Sequence, residues 1–271
     1  MKEQLYTYGI QRNLQGIASL PVVVNENKPA IILFNAGVVH KVGPFDINIS
    51  IANHLSSMGF LVFRFDLSGM GDSLKVKDGT SHQVTVINDL KQTMSFIESQ
   101  YAVNTFIMMG LCTGADHAHK IACEDARVVG NVWLDGYGYP TAKFNFLRYA
   151  PVFFSPRRLV TAVYHKLVQA DKLLKNIKGV DAYVWELPAK DKYIHEMNAL
   201  YKRGVKSLYV FSGGVRDYYN YKDQFADSFK GHQFLKSVEI EYFPEFDHTY
   251  IIIKDRDIMI KRVSVWLSEN F

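Results

Sequence analysis

Apolar positions along this 271-residue chain fall into two alternating kinds of run. Short continuous runs occur at "AIILFNAG" (30–37), "FLVFRFD" (60–66), "NTFIMMG" (104–110), "VVGNVWLDG" (128–136), "SLYVFSGG" (207–214) and "SVEIEYF" (237–243). Runs of this length without polar alternation suit strands buried on both faces. Between them lie longer segments whose apolar residues return at helical spacing. Ile49, Ala52 and Leu55 or Ser56 recur in "FDINISIANHLSSMG", with Gly59 placed to end the helix. Val86, Leu90, Met94 and Ile97 do the same within 82–100. "TGADHAHKIACEDA", "YNYKDQFADSFKG" and the closing "DRDIMIKRVSVWLSENF" read as further helices. Repeated βα units predict an α/β protein with a mostly parallel central sheet flanked by helices. "LYTYGI" and "IASLPVVV" add a predicted antiparallel hairpin at one sheet edge. Residues 137–204 depart from the pattern. They are rich in Tyr, Phe, Lys and Arg, with "YAPVFFSPRR" at their middle, and show helical spacing but no clear strand. The expected organisation is therefore a core of residues 1–136 and 205–271, with 137–204 as a small helical cap insertion.

Composition narrows the function classes. The apolar share is 48% and the charged share 21%, as in a globular protein that can bury a sizeable core. A net charge of +4 without basic patches interleaved with aromatics speaks against a nucleic-acid partner. No run approaches the roughly 20 apolar residues of a membrane span, and "MKEQLYTYGIQRN" lacks an apolar signal-peptide core. The two cysteines, Cys112 and Cys123, would lie roughly 16 Å apart on one helix, too far to bridge. Free thiols fit a reducing, cytoplasmic setting. Nothing in the sequence speaks to oligomeric state.

The chemistry concentrates in "MMGLCTGADH" (108–117). Gly110 and Gly114 flank Cys112 at the spacing of G-x-S-x-G, with strand before and helix after. That is the context of a nucleophile elbow, in which a sharp turn presents the nucleophile at a helix N-terminus. There the helix dipole and free N–H groups favour an anion, and the thiolate is the reactive form of cysteine. Cys123 has no such setting and reads as core. A cysteine nucleophile needs a base, and "YFPEFDHTY" places His248 after the last strand and before the last helix. The base needs a carboxylate to hold its tautomer. "YVFSGGVRDYY" offers Asp217 just past a strand, in the expected chain order; Asp135, at the end of "VWLDG", is the alternative acid. Asp247, adjacent to His248, is expected to point elsewhere. Oxyanion donors are expected from the backbone N–H of Thr113 and from Val38 in "NAGVVH", with Gly37 allowing close approach. His40 and Tyr137 are candidate substrate contacts; His117 and His119 are not.

"FDLSGMGDS" (65–73) does not make a nucleotide loop, because position 74 is Leu where G-x-G-x-x-G needs its third glycine, and no Walker lysine follows. No His, Cys, Asp or Glu cluster shows metal-ligand spacing, so neither metal nor cofactor is expected.

Taken together, "FNAGVVHKVGP", "FRFDLSGMGDS", "GLCTGAD", "SGGVRD" and "EFDHTY" resemble the α/β-hydrolase superfamily over nearly the whole chain outside the cap. More narrowly, "FNAGVVHKVGPF" with "GLCTGAD" is similar to hydrolases found beside exosortase and exopolysaccharide systems, often labelled serine aminopeptidase-like. The resemblance implies a triad of Cys112, His248 and Asp217, with cysteine where the superfamily carries serine. That replacement shifts weight from peptides to activated acyl substrates. The expected activity is hydrolysis of a small acyl ester or thioester, free or carrier-bound, through a cysteinyl acyl-enzyme. An acyltransferase, lyase or cyclase is the alternative within the same chemistry. A non-catalytic binding protein of this fold is the alternative of another class. The aromatic residues Tyr137, Tyr139, Phe144, Phe146, Tyr149, Phe153 and Phe154 are candidates for an acyl pocket.

Overall fold

The computed structural model describes residues 2–76, 79–153 and 187–271. Eight strands form one sheet: β1 (Lys2–Tyr8), β2 (Leu14–Leu20), β3 (Ala30–Leu33), β4 (Val62–Asp66), β5 (Phe106–Leu111), β6 (Val128–Leu134), β7 (Lys206–Ser212) and β8 (Val238–Phe243), in the spatial order β1-β2-β4-β3-β5-β6-β7-β8. The hairpin β1–β2 is antiparallel and sits at the edge, and β2 pairs antiparallel with β4; every other pairing is parallel. Helices α1 (Ile47–Ser57), α2 (His82–Tyr101), α3 (Thr113–Glu124), α4 (Ala142–Phe153), α5 (Lys190–Lys202), α6 (Gln224–Ser228) and α7 (Ile253–Asn270) complete the described chain. No helix among the described residues is long and apolar enough to cross a membrane.

The continuous apolar runs are strands with both faces covered. In β5, Phe106 and Met108 join one hydrophobic cluster with Leu90, Met94 and Ile97 of α2 and Ile121 of α3. Their neighbours Ile107 and Met109 join the opposite cluster with Ile51 and Leu55 of α1 and Met259, Val263 and Trp266 of α7. Successive side chains point to opposite faces of a strand, so a strand sandwiched between two helix layers shows no polar alternation.

The connection from β6 to β7 is helical in its described parts. Tyr193, Met197 and Leu200 of α5 are buried in the same cluster as the sheet residues Trp133 and Tyr209. This helix thus belongs to the layer that covers the sheet. Residues 154–186 of the expected cap lie outside the described residues.

Candidate active site

The parallel strands deliver their carboxyl ends to one edge of the sheet, where ligand sites of open α/β sheets form. β5 ends at Leu111, and Cys112 follows at φ 56°, ψ −118°, before α3 begins at Thr113. A positive φ on cysteine is a strained conformation that the surroundings must hold. They do so at several points. The Cys112 N–H donates to the Leu134 carbonyl at 2.9 Å, and the Cys112 carbonyl accepts from Ala115 N–H at 2.9 Å. A Cβ on Gly110 would collide with the Gly114 carbonyl, and one on Gly114 would press on Asn35 O at 3.1 Å. The overlap at Gly110 excludes any side chain there, while the contact at Gly114 is tight.

β6 ends at Leu134, and Asp135 turns off it at φ 54°. Its carboxylate is fully buried and fully engaged. Oδ1 accepts from Ser212 N–H at 2.6 Å; Oδ2 accepts from the Ser212 hydroxyl at 2.8 Å and meets His248 Nδ1 at 2.7 Å. His248 arrives on the loop between β8 and α7, is also hydrogen-bonded to Cys112, and keeps 31% of its side chain exposed. The bond to Asp135, then that to Cys112, outweigh partial burial and raise the His248 pKa to about 10. The imidazole is therefore cationic near neutral pH, pinned by Asp135 on one ring nitrogen and facing the thiol with the other. Cys112, His248 and Asp135 form one continuous hydrogen-bonded line.

Asp135, and not the preferred Asp217, is the carboxylate that reaches His248. Asp217 lies past the 3-10 turn Gly213–Val215, its side chain is 95% exposed, and it pairs with Arg148 of α4. The reason is local. Asp135 leaves its strand with a positive φ that swings the carboxylate into the space beside His248. The loop after β7 instead uses Gly213 and Gly214 for close packing against Pro244 and His248. Asp247 hydrogen-bonds Thr249 and takes no part in the line.

The loop after β3 carries the other expected donors. Its turn is closed by Val39 N–H to Ala36 O at 3.1 Å, and Gly37 N–H donates to the Thr113 hydroxyl at 2.6 Å, which ties it to the elbow. Val38 sits in this turn and is 87% exposed. Asn35 braces this loop, its Nδ2 donating to Val39 O at 2.7 Å, but the carboxylate at the centre of the support was not among the expected site residues. Asp66, fully buried, accepts from Asn35 Nδ2 (2.8 Å), Lys41 N–H (2.6 Å), Lys41 Nζ (2.8 Å) and Asp72 N–H (3.0 Å). A Cβ on Gly71 would strike that carboxylate, and the Ser73 hydroxyl donates to the Asp66 carbonyl at 2.6 Å. The D-x-x-G-x-G-x-S pattern was the available signal: it is a carboxylate hub that welds the β3 and β4 loops.

Two candidate substrate contacts are placed in other company. His40 meets Asp72 (3.0 Å) and Lys41 (2.9 Å) at the edge of the hub. Tyr137 is buried, packed edge-on against His119 and Tyr193, so its ring belongs to the core. Tyr139 and Phe144 are buried as well, while Phe146 and Tyr149 are exposed; the side chains of Phe153 and Phe154 lie outside the described residues. His117 is buried, and that burial lowers its pKa to about 3. Tyr218 adds a contact to the site, its hydroxyl donating to the Asp135 carbonyl at 3.0 Å.

No family model matches the sequence, and no curated protein matches it either. Solved structures do. An esterase of Pyrococcus furiosus superposes with a TM-score of 0.59 at 15% identity, over 99% of this chain and 92% of that one. An α/β serine hydrolase homologue from Coxiella burnetii matches 97% of both chains at 15% identity and a TM-score of 0.54. The chain has the α/β-hydrolase fold. A proline iminopeptidase of Mycobacterium smegmatis shares it at 11% identity, over 99% of this chain and 98% of that one, with a TM-score of 0.58. On this fold the elbow after β5, the acid after β6 and the histidine after β8 meet at a single edge.

Proposed function

We propose that this chain hydrolyses an activated acyl ester or thioester through an acyl-enzyme on Cys112. The hydrogen-bonded line Cys112–His248–Asp135, with Cys112 held strained at the N-terminus of α3, carries the reading. With the proton they share held on His248, the Cys112 sulfur attacks the substrate carbonyl carbon as a thiolate, forming a C–S bond. The oxyanion is stabilised by the N–H groups of Thr113 and Val38. As the carbonyl re-forms, the bond to the leaving oxygen or sulfur breaks, and His248 protonates the leaving group. Water then gives a proton to His248 and attacks the thioester; the C–S bond breaks, the carboxylic acid departs, and the thiolate facing the His248 imidazolium is restored. Asp135 holds the Nδ1–H of His248 throughout and stabilises the imidazolium. The partial exposure of His248 leaves it reachable by water, which favours hydrolysis over transfer to another acceptor.

The test is intact-mass spectrometry after exposure to aryl esters and acyl thioesters of graded chain length. An acyl adduct is expected on the wild type and absent from Cys112→Ala. Iodoacetamide should modify Cys112 much faster than free cysteine, with that advantage lost in His248→Ala. No adduct with any donor, together with a thiol as sluggish as free cysteine and indifferent to His248, would overturn the proposal and favour a binding protein that keeps only the fold.

A further inference from the structure

Away from this edge, α3 and α5 bring together three side chains whose chemistry the acyl-transfer reading does not use. His119 and Cys123 are one helical turn apart on α3, and Glu196 faces them from α5. His119 Nε2 lies 2.9 Å from Glu196 Oε2 and 3.8 Å from Cys123 Sγ, and the three atoms all fall within 4.8 Å of one another. His119 is buried, while Cys123 and Glu196 are partly open to solvent.

The arrangement differs from His248 in one decisive respect. A proton relay sets the carboxylate on one ring nitrogen and the thiol on the other, as Asp135 and Cys112 are set around His248. At His119 both partners face the same nitrogen, so a thiol, an imidazole lone pair and a carboxylate converge on a single point. From this convergence we infer that His119, Cys123 and Glu196 form a binding site for a divalent zinc-like cation.

The chemistry of the donors selects the ion. One nitrogen, one sulfur and one carboxylate oxygen are the ligand types of Zn2+, with bonds of about 2.0–2.3 Å. Four-coordinate geometry on such bonds sets ligand atoms roughly 3.3–3.7 Å apart. The nitrogen–sulfur separation of 3.8 Å closes slightly, and the nitrogen–oxygen pair at 2.9 Å opens by a few tenths of an ångström. Water fills the fourth position from the open side. On binding, the Cys123 thiol releases its proton to solvent and Nε2 presents its lone pair. Thiolate and carboxylate together then neutralise the dication. The rings of Tyr193, Trp133 and Tyr137, at centroid distances of 4.9, 5.8 and 5.9 Å, fix the plane of His119. Lys192 approaches only the other carboxylate oxygen of Glu196, at 3.8 Å, leaving Oε2 for the metal. The second candidate group, His40, Asp66 and Asp72, fails this comparison because the Lys41 ammonium occupies its centre, 2.8 Å from Asp66 and 2.5 Å from Asp72. A cation cannot share that point.

Because α3 begins directly after Cys112, the metal would pin α5 against the helix that follows the nucleophile. The experiment uses the full chain stripped of metal by chelator. Zn2+ is titrated in competition with a chromophoric indicator, and Co2+ reports the ligand set through its thiolate charge-transfer band and the intense visible bands of four-coordinate cobalt. One equivalent is expected to bind, with the charge-transfer band kept in Cys112→Ser and lost in Cys123→Ser. Affinity should fall about a hundredfold or more in Cys123→Ser and at least tenfold in Glu196→Gln, with circular dichroism confirming that each variant folds. Thermal unfolding should shift upward with Zn2+ in the wild type and in Cys112→Ser, and not in Cys123→Ser. Absence of stoichiometric binding, or a band that follows Cys112 and survives Cys123→Ser, would overturn the site without bearing on the acyl-enzyme.

Discussion

Replacing Asp135 by Asn tests the central geometry directly, because the change keeps shape and removes charge. His248 rises from an ordinary 6.5 to about 10, a difference of about 3.5 pH units. At 1.36 kcal/mol per unit this corresponds to about 5 kcal/mol in favour of the imidazolium. The hydrogen bond to Asp135 is the largest contributor, that to Cys112 comes second, and burial opposes both. With the carboxylate gone, the Cys112 contact alone must offset burial. A fall of at least about 2 units, or roughly 2.7 kcal/mol, is expected. Asp217→Asn is the control: its carboxylate is almost fully exposed and bound to Arg148, so His248 should move by less than about 0.3 unit. The assay is NMR titration of the labelled histidine ring, assigned with His248→Gln, on variants whose circular dichroism matches the wild type. Turnover of any ester that acylates Cys112 should drop roughly 10^3- to 10^4-fold in Asp135→Asn, because the amide inverts the imidazole tautomer. If Asp217→Asn shifts His248 more than Asp135→Asn does, or if Asp135→Asn leaves it within half a unit, the acid has been assigned wrongly.

Other expectations follow from the same contacts. Because the folded-state pKa of His248 lies above its unfolded value, its stabilisation is complete below pH 6.5 and is lost as pH rises through about 10. Partial exposure discounts this to about 1–3 kcal/mol, visible as a decline in urea-unfolding free energy over that window that flattens in His248→Gln. Lys41→Met should lower the unfolding free energy by about 3–5 kcal/mol, since it strands the buried Asp66 carboxylate that Lys41 neutralises; a loss under 1 kcal/mol would contradict the hub. Gly110→Ala should yield little folded protein, because its Cβ would overlap the Gly114 backbone. Tyr250→Phe should be neutral or raise stability by about 1 kcal/mol, since the buried hydroxyl has no partner among the described residues; a loss above 2 kcal/mol would show a hidden one.

The hydrophobic pattern by itself determined the order and kind of the elements, since strands covered on both faces and helices covered on one write different periods into the chain. The sequence also located the elbow, because the close backbone approach there admits only glycine at position 110 and favours it at 114, and it placed His248 in the loop after the last strand. At that level Asp217 was preferred and Asp135 was the alternative, although both follow a strand and both precede His248 in the chain. Only the tertiary structure decided between them, through the positive φ that turns Asp135 inward and the salt bridge that holds Asp217 outward. The welding of two loops by Asp66, and the meeting of His119 and Cys123 with Glu196 more than seventy residues away, were likewise invisible along the chain. Spacing in sequence reports what one element presents on its own face. Convergence of side chains from separate elements depends on how those elements pack.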